Sequence, residues 1–140
     1  MTLPPRRATN MLLIDTNIIS ELSRKQPDPG VLAWAAMTTE FRFSAISLEE
    51  IACGLAWRPN PRIQAWIAAF FERHAVLPVS PEIARRAGNL RGSLAAQGSP
   101  RTQADMLIAA TALVHGLTLV TRNSRDFEGC GIALLNPFSI

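Results

Sequence analysis

The sequence predicts an α/β domain, a parallel β-sheet with helices on both faces. Short apolar runs alternate with segments of helical periodicity along the chain, the pattern of strand–helix–strand units. Capping residues followed by proline or by a later acid mark helix starts between those runs. The 140 residues, 48% of them hydrophobic, suffice for one domain with a real core.

In chain order, Met11 to Ile14 reads as a short buried strand and Thr16 to Arg24 as a helix, broken by Pro27, Pro29 and Gly30. Val31 to Met37 reads as a second helix. Phe41 to Ile46 alternates and reads as a strand. Ser47 then serves as the expected N-cap of a helix running to Trp57, with Glu50 at the reciprocal position of a capping box. Asn60-Pro61 opens the next helix, whose Ile63, Trp66, Ile67, Phe70 and Phe71 share one face. Val76 to Val79 reads as a strand. Ser80-Pro81 starts a helix with Ile83, Ala87, Leu90 and Leu94 inward. Ala104 to His115 is helical and almost wholly apolar, hence buried, and Gly116 ends it. Leu117 to Thr121 is a strand, Asn123 to Phe127 a turn or short helix, and Ile132 to Leu135 a last strand. Residues 1–10 read as a loose tail ahead of a single domain over 11–140, with Met11 a possible natural start.

The formal charge of +3 and sequence pI of about 9.7 are compatible with a nucleic-acid partner without requiring one. Cys53 and Cys130 show neither zinc spacing nor a disulfide framework, which points to a reducing compartment and a cytoplasmic location. No window reaches the length of a membrane span, and no secretory signal is present.

The placement of the acids is more informative. In open α/β sheets, ligands bind beyond the carboxyl ends of the strands. Asp15 ends the first strand. Asp126 follows the Leu117–Thr121 strand, near Thr121 and Asn123. Glu50 falls one turn into the helix after the second strand, and Asp105 near the start of the most apolar helix. Singly, each has a structural reading: Asp15 as a turn or cap, Glu50 as half of a capping box, Asp105 as a carboxylate favoured by the helix dipole, Asp126 as a solvated side chain. Together they abut buried segments, where an ionised carboxylate is costly unless paired or metal-bound. No lysine or arginine stands at helical spacing on the Asp105 helix. Clustered carboxylates suit a hard divalent cation, Mg²⁺ or Mn²⁺, which polarises phosphate and lowers the pKa of bound water. With these four acids set aside, 14 basic residues face seven acids, a surround suited to a polyanion.

The segments LLIDTNIISEL, SAISLEEIACGL, ADMLIAATALVHGLTLVTRNSRDF and LLNPF, in this order, resemble the PIN-domain ribonucleases, specifically the VapC/FitB-like toxins of bacterial type II toxin–antitoxin pairs. The resemblance spans nearly all of residues 11–138. It implies a three-layer α/β/α domain with a central parallel sheet of four to five strands. It implies a Mg²⁺- or Mn²⁺-dependent endoribonuclease that uses metal-activated water and leaves a 3′-hydroxyl and a 5′-phosphate. The family's catalytic and metal-binding acids fall on Asp15, Glu50, Asp105 and Asp126. Glu50 lies in the pattern flanked by Ser47, Ile51 and Gly54; spacing alone does not separate it from Glu49. Some relatives carry an aspartate where Asn123 stands, so the fourth acid is placed on Asp126, with Asn123 and Thr121 orienting it or a metal-bound water. Thr16 and Asn17 are supporting residues of the same motif. The resemblance further implies an RNA substrate, a cognate antitoxin, a homodimer and no membrane association.

Arg101, Arg122 and Arg125 flank the proposed acids and are candidate RNA-phosphate contacts. Arg85, Arg86 and Arg91 read as a solvated helix face, His74 and His115 as structural, and Trp34, Trp57 and Trp66 as core or interface. Two alternatives stay open. One is a phosphotransfer domain using Asp15 as nucleophile, which would need a lysine near the late strands, where Leu117–Phe127 offers arginines only. The other is a non-catalytic domain of the same fold that binds nucleic acid or a partner.

Overall fold

The computed structural model describes residues 11–139. The tail expected over residues 1–10 lies outside them. Five parallel strands, β1 (Leu12–Ile14), β2 (Arg42–Ser44), β3 (Ala75–Leu77), β4 (Thr118–Val120) and β5 (Leu134–Leu135), lie in the order β3-β2-β1-β4-β5. Six helices connect or follow them: α1 (Thr16–Leu22), α2 (Pro29–Ala36), α3 (Ala45–Trp57), α4 (Pro61–Arg73), α5 (Pro81–Ala96) and α6 (Gln103–His115). The chain winds outward from β1 through β2 to β3. It then crosses back to place β4 on the other side of β1, which makes β1/β4 the switch point where α/β sheets bind ligands.

Successive strand residues face opposite sides of a sheet. Accordingly Leu13 and Leu119 enter the core beneath α5 and α6, while Leu12, Ile14 and Val120 enter the core beneath α1, α3 and α4. Helix α6 is buried over most of its length and stops at Gly116, whose φ of 64° is the left-handed conformation that glycine adopts without strain. On α4 the expected apolar face does pack inward: Ile67 and Phe70 are buried, Trp66 stacks on Phe70, and Phe71 stacks on Phe43.

Three expectations change. Helix α3 starts earlier than read: Ser44, not Ser47, is its N-cap and accepts from the Ile46 N–H. Ser47 is fully buried inside the helix and Glu50 lies beyond its first turn, so the capping-box reading of Glu50 fails. Two serines three residues apart offered alternative caps, and the end of β2 selected the first. Trp57 is not in the core: it is 77% exposed at the end of α3, with the Arg58 guanidinium over its ring. The short strands also stop one or two residues inside their apolar runs, where the sheet hydrogen bonds end. His74 is structural, as expected, lying against Phe41 and Phe70.

Candidate active site

Asp15 sits where β1 ends and α1 begins. It is 5% exposed, yet both carboxylate oxygens are held. Oδ1 accepts the Thr16 N–H at 2.8 Å as the helix cap. Oδ2 accepts the Thr121 hydroxyl at 2.8 Å and the Asn17 amide at 3.1 Å. Thr121 follows β4, so this bond closes the switch point between the two central strands. The same hydroxyl oxygen accepts the Asn123 N–H at 3.0 Å, and Asn17 Oδ1 accepts the Arg122 N–H at 3.1 Å. The turn after β4 is thereby fixed to the start of α1. Thr121, read as orienting Asp126 or a metal-bound water, donates to Asp15.

Glu50 reaches the same place from α3. The Thr16 hydroxyl lies 2.7 Å from Glu50 Oε1 and 2.9 Å from the Ser47 hydroxyl. A hydroxyl has one proton and a carboxylate only accepts, so the proton chain runs Ser47 to Thr16 to Glu50. The buried Ser47 therefore positions the acid three residues later through a side chain of α1.

Asp15, Thr16, Glu50, Asp105 and Asn123 line one open pocket of about 550 Å³. Burial raises the Asp15 carboxyl from its ordinary value of 3.8 to about 6; the Thr121 and Thr16 bonds oppose this, while the charges of Asp105 and Glu50 add to it. Asp105 is also raised, first by burial and then by the charges of Asp126 and Glu50, with Thr102 and Arg101 pulling the other way. No ion pair forms at Asp15, Asp105 or Glu50 among the described residues. The carboxylates thus share a field that a cation would relieve.

Asp126 stands apart. It is exposed in the 3-10 turn Ser124–Phe127, near enough to raise Asp105 but not lining the pocket, whereas Asn123 does line it. Arg101 is committed to that turn: its guanidinium donates to the carbonyls of Asp126 and Glu128, each at 2.7 Å. Arg122 lines the pocket; Arg125 does not. Glu49 and Glu50 are both exposed, but only Glu50 lines the pocket, which separates them.

The PIN domain profile matches residues 12–129. The chain belongs to the PIN-domain family. Within that family it is 34% identical over 137 residues to the VapC ribonuclease Y4jK of Sinorhizobium fredii, covering 91% of this chain and 98% of the relative. It is 33% identical to the toxin FitB of Neisseria gonorrhoeae, covering 91% and 99%. It is 32% identical to a tRNA(fMet)-specific endonuclease VapC of Shigella flexneri, covering 85% and 91%. Among solved structures, FitAB bound to a DNA fragment superposes with a TM-score of 0.80 at 32% identity, covering 93% of this chain and 97% of that one. DNA-bound VapBC from Salmonella typhimurium superposes at 0.78 with 30% identity, covering 89% and 96%.

The donor set of this PIN domain is oxygen alone, carboxylates with hydroxyls and amides, which fits a hard cation rather than a soft one. Among the described residues, no group of three or more His, Cys, Asp or Glu side chains is placed to hold a metal ion together. Cys53 is exposed and Cys130 buried, both unpaired. Among the described residues, no helix is long and apolar enough to cross a membrane.

Sequence reasoning missed four residues of the pocket wall: Ser20, Glu21, Arg24 and Phe138. Glu21 is buried, accepts the Asp28 N–H at 2.8 Å and pairs with Arg24 at 3.2 Å. The Glu21/Arg24 spacing was a visible signal of such a pair. Phe138 lay inside the LLNPF segment, but nothing local placed it beside Asp15.

Proposed function

We propose that this PIN domain is a metal-dependent endoribonuclease, the toxin of a toxin–antitoxin pair. One observation carries the reading: Asp15 is a buried carboxylate whose two oxygens are fixed by neutral donors, facing no cationic partner but an open pocket shared with Glu50 and Asp105. Structural acids are normally neutralised where they are buried; this one is held ready. The ribonuclease, endonuclease and toxin names of its relatives support the same activity.

Mg²⁺ or Mn²⁺ suits this site, because Mg²⁺ keeps several waters and takes one or two carboxylates plus substrate phosphates, without needing a closed protein cage. Asp15 with Glu50 or Asp105 would hold it, with Asn123 on the same wall and Asp126 contributing charge from outside the pocket. When bound, the ion polarises the scissile phosphate and stabilises charge on the departing oxygen. The protein's own part is orientation. Thr16, Asn17 and Thr121 fix Asp15, Ser47 acting through Thr16 fixes Glu50, and arginines at the rim hold the polyanion. Water adds to phosphorus as the bond to the 3′-oxygen breaks, leaving a 3′-hydroxyl and a 5′-phosphate. The phosphotransfer alternative finds no support: the chain's single lysine, Lys25, does not line the pocket.

An RNA substrate places the enzyme in the cytoplasm, where it needs restraint. The FitAB and VapBC complexes among its structural neighbours support an antitoxin partner. An arginine of such a partner would pair with two pocket carboxylates through its planar fork and compete with the metal. A homodimer is part of the same reading. The test is cleavage of labelled RNA by the purified chain in Mg²⁺, in Mn²⁺ and in EDTA. Cleavage that EDTA abolishes is expected. Cleavage unaffected by EDTA would remove the ion, and a folded but inactive chain would favour the non-catalytic binding domain.

A further inference from the structure

The segment after β5 is fastened to the start of α2, and its Phe138 forms part of the pocket wall. Asp28 Oδ2, at the N-terminus of α2, accepts the Ser139 N–H and the Ser139 hydroxyl, each at 2.9 Å, as well as the N–H groups of Gly30 and Val31. Gly30 also donates to Ser139 Oγ at 2.9 Å. A Cβ at Gly30 would lie 2.5 Å from the Pro137 carbonyl oxygen and 2.7 Å from the Ser139 nitrogen, so the fit is backbone against backbone. Asn136 Oδ1 accepts the Phe138 N–H at 3.0 Å, which turns the Phe138 ring toward the pocket.

On that ring lies the Arg122 guanidinium, its Cζ 4.6 Å from the ring centroid. Among the described residues Arg122 makes no ion pair. Its backbone is tied to the acid site through Asn17, the residue that also holds Asp15. Arg122, Phe138, Arg24 and Glu21 form a ridge between the acid pocket and a second recess of about 400 Å³ lined by Gln26, Pro27 and Pro29. A polyanion leaving the acids in that direction passes the Arg122 guanidinium and that of Arg24, which is paired with Glu21.

We propose that Phe138 is a positioning residue for substrate binding: it holds Arg122 against a phosphate of the RNA strand next to the one that is cut, and the Asp28–Ser139 latch holds Phe138. This rests on the ribonuclease reading above. A long, exposed arginine otherwise samples many rotamers, and an aromatic face restricts it while leaving its N–H fork free for phosphate.

The experiment measures affinity for a labelled single-stranded RNA at several salt concentrations, using the full chain carrying Asp15→Asn so that the RNA survives. Steady-state cleavage is measured in the Asp15-intact protein with Mg²⁺. Phe138→Ala is expected to weaken binding several-fold, to raise KM more than it lowers kcat, and to shift the salt slope toward that of Arg122→Ala, by up to about 0.7 for one lost phosphate contact. Phe138→Trp restores both, Phe138→Leu does not, and Arg122→Ala/Phe138→Ala is no weaker than Arg122→Ala alone. Gly30→Ala, which dislodges the tail from its other side, reproduces the Phe138→Ala losses if that variant folds poorly. A wild-type salt slope and KM in Phe138→Ala, full additivity with Arg122→Ala, or rescue by Phe138→Leu would each overturn the proposal. If the intact chain cuts no RNA but the binding losses appear, the nuclease reading fails and the Arg122–Phe138 contact stands. If cleavage is sound and the losses are absent, the reverse holds.

Discussion

Asp15→Asn tests whether burial of a bare carboxylate strains the native state. The folded pKa of Asp15 is raised to about 6 from an ordinary 3.8. Below pH 3.8 the side chain is protonated in both folded and unfolded chains, and no cost arises. Between these values the native state binds more protons than the unfolded one, so stability falls as pH rises through about 6. At ~1.36 kcal/mol per pH unit the loss reaches about 3 kcal/mol above pH 7, roughly 10 °C in melting temperature for a domain of this size. Asparagine has no such titration, although it accepts through one oxygen only and gives up a bond that Thr121 or Thr16 now makes. That loss is a constant offset. The assay is denaturant unfolding of wild type and Asp15→Asn in EDTA from pH 4 to pH 8. The wild-type stability, measured relative to the variant, should drop by about 2.4 kcal/mol between pH 4 and pH 8, the rest of the loss falling below pH 4. A difference that stays flat with pH, or that grows in favour of wild type, would refute the reasoning.

Other outcomes follow from the same geometry. Glu50→Gln should reduce cleavage by orders of magnitude while Glu49→Gln leaves it near wild type, read as kcat/KM on one RNA; equal losses would remove the distinction between them. Thr121→Val deletes the hydroxyl that bonds Asp15 and receives the Asn123 N–H, and should cost about 1–3 kcal/mol in chemical unfolding, with Thr121→Ser retaining most of it. Mn²⁺ at a hundredfold excess over its Kd should raise stability by about 2.7 kcal/mol, seen as a melting shift that Asp15→Asn abolishes.

The parts legible in the sequence were those decided locally. Asp15 was legible because a charge cut short an apolar run, and α6 because its apolar length ended in a glycine. Asn60-Pro61 and Ser80-Pro81 both proved to be true helix starts. What stayed hidden depended on contacts between distant segments. Nothing local says that β4 lies beside β1, so the Thr121–Asp15 bond, spanning 106 residues, was not visible and Thr121 was read beside Asp126 or a metal-bound water. The Asp28–Ser139 bond spans 111 residues, and Phe138 went unread for the same reason. Ser47 was misplaced because a serine that caps a helix and a serine buried within one have the same local pattern. Asp126 illustrates the converse: its spacing suited the cluster, and its charge does act on Asp105, but Asn123 rather than Asp126 lines the pocket.

If the pocket around Asp15 cuts RNA, new RNA ends in the cell depend on that carboxylate. The most direct measurement maps new 5′ ends in cellular RNA after induction of the chain, against Asp15→Asn induced to the same level. Discrete 5′-phosphate ends should appear with the wild type and vanish with Asp15→Asn. Identical end profiles from the two proteins, with both folded, would contradict that dependence.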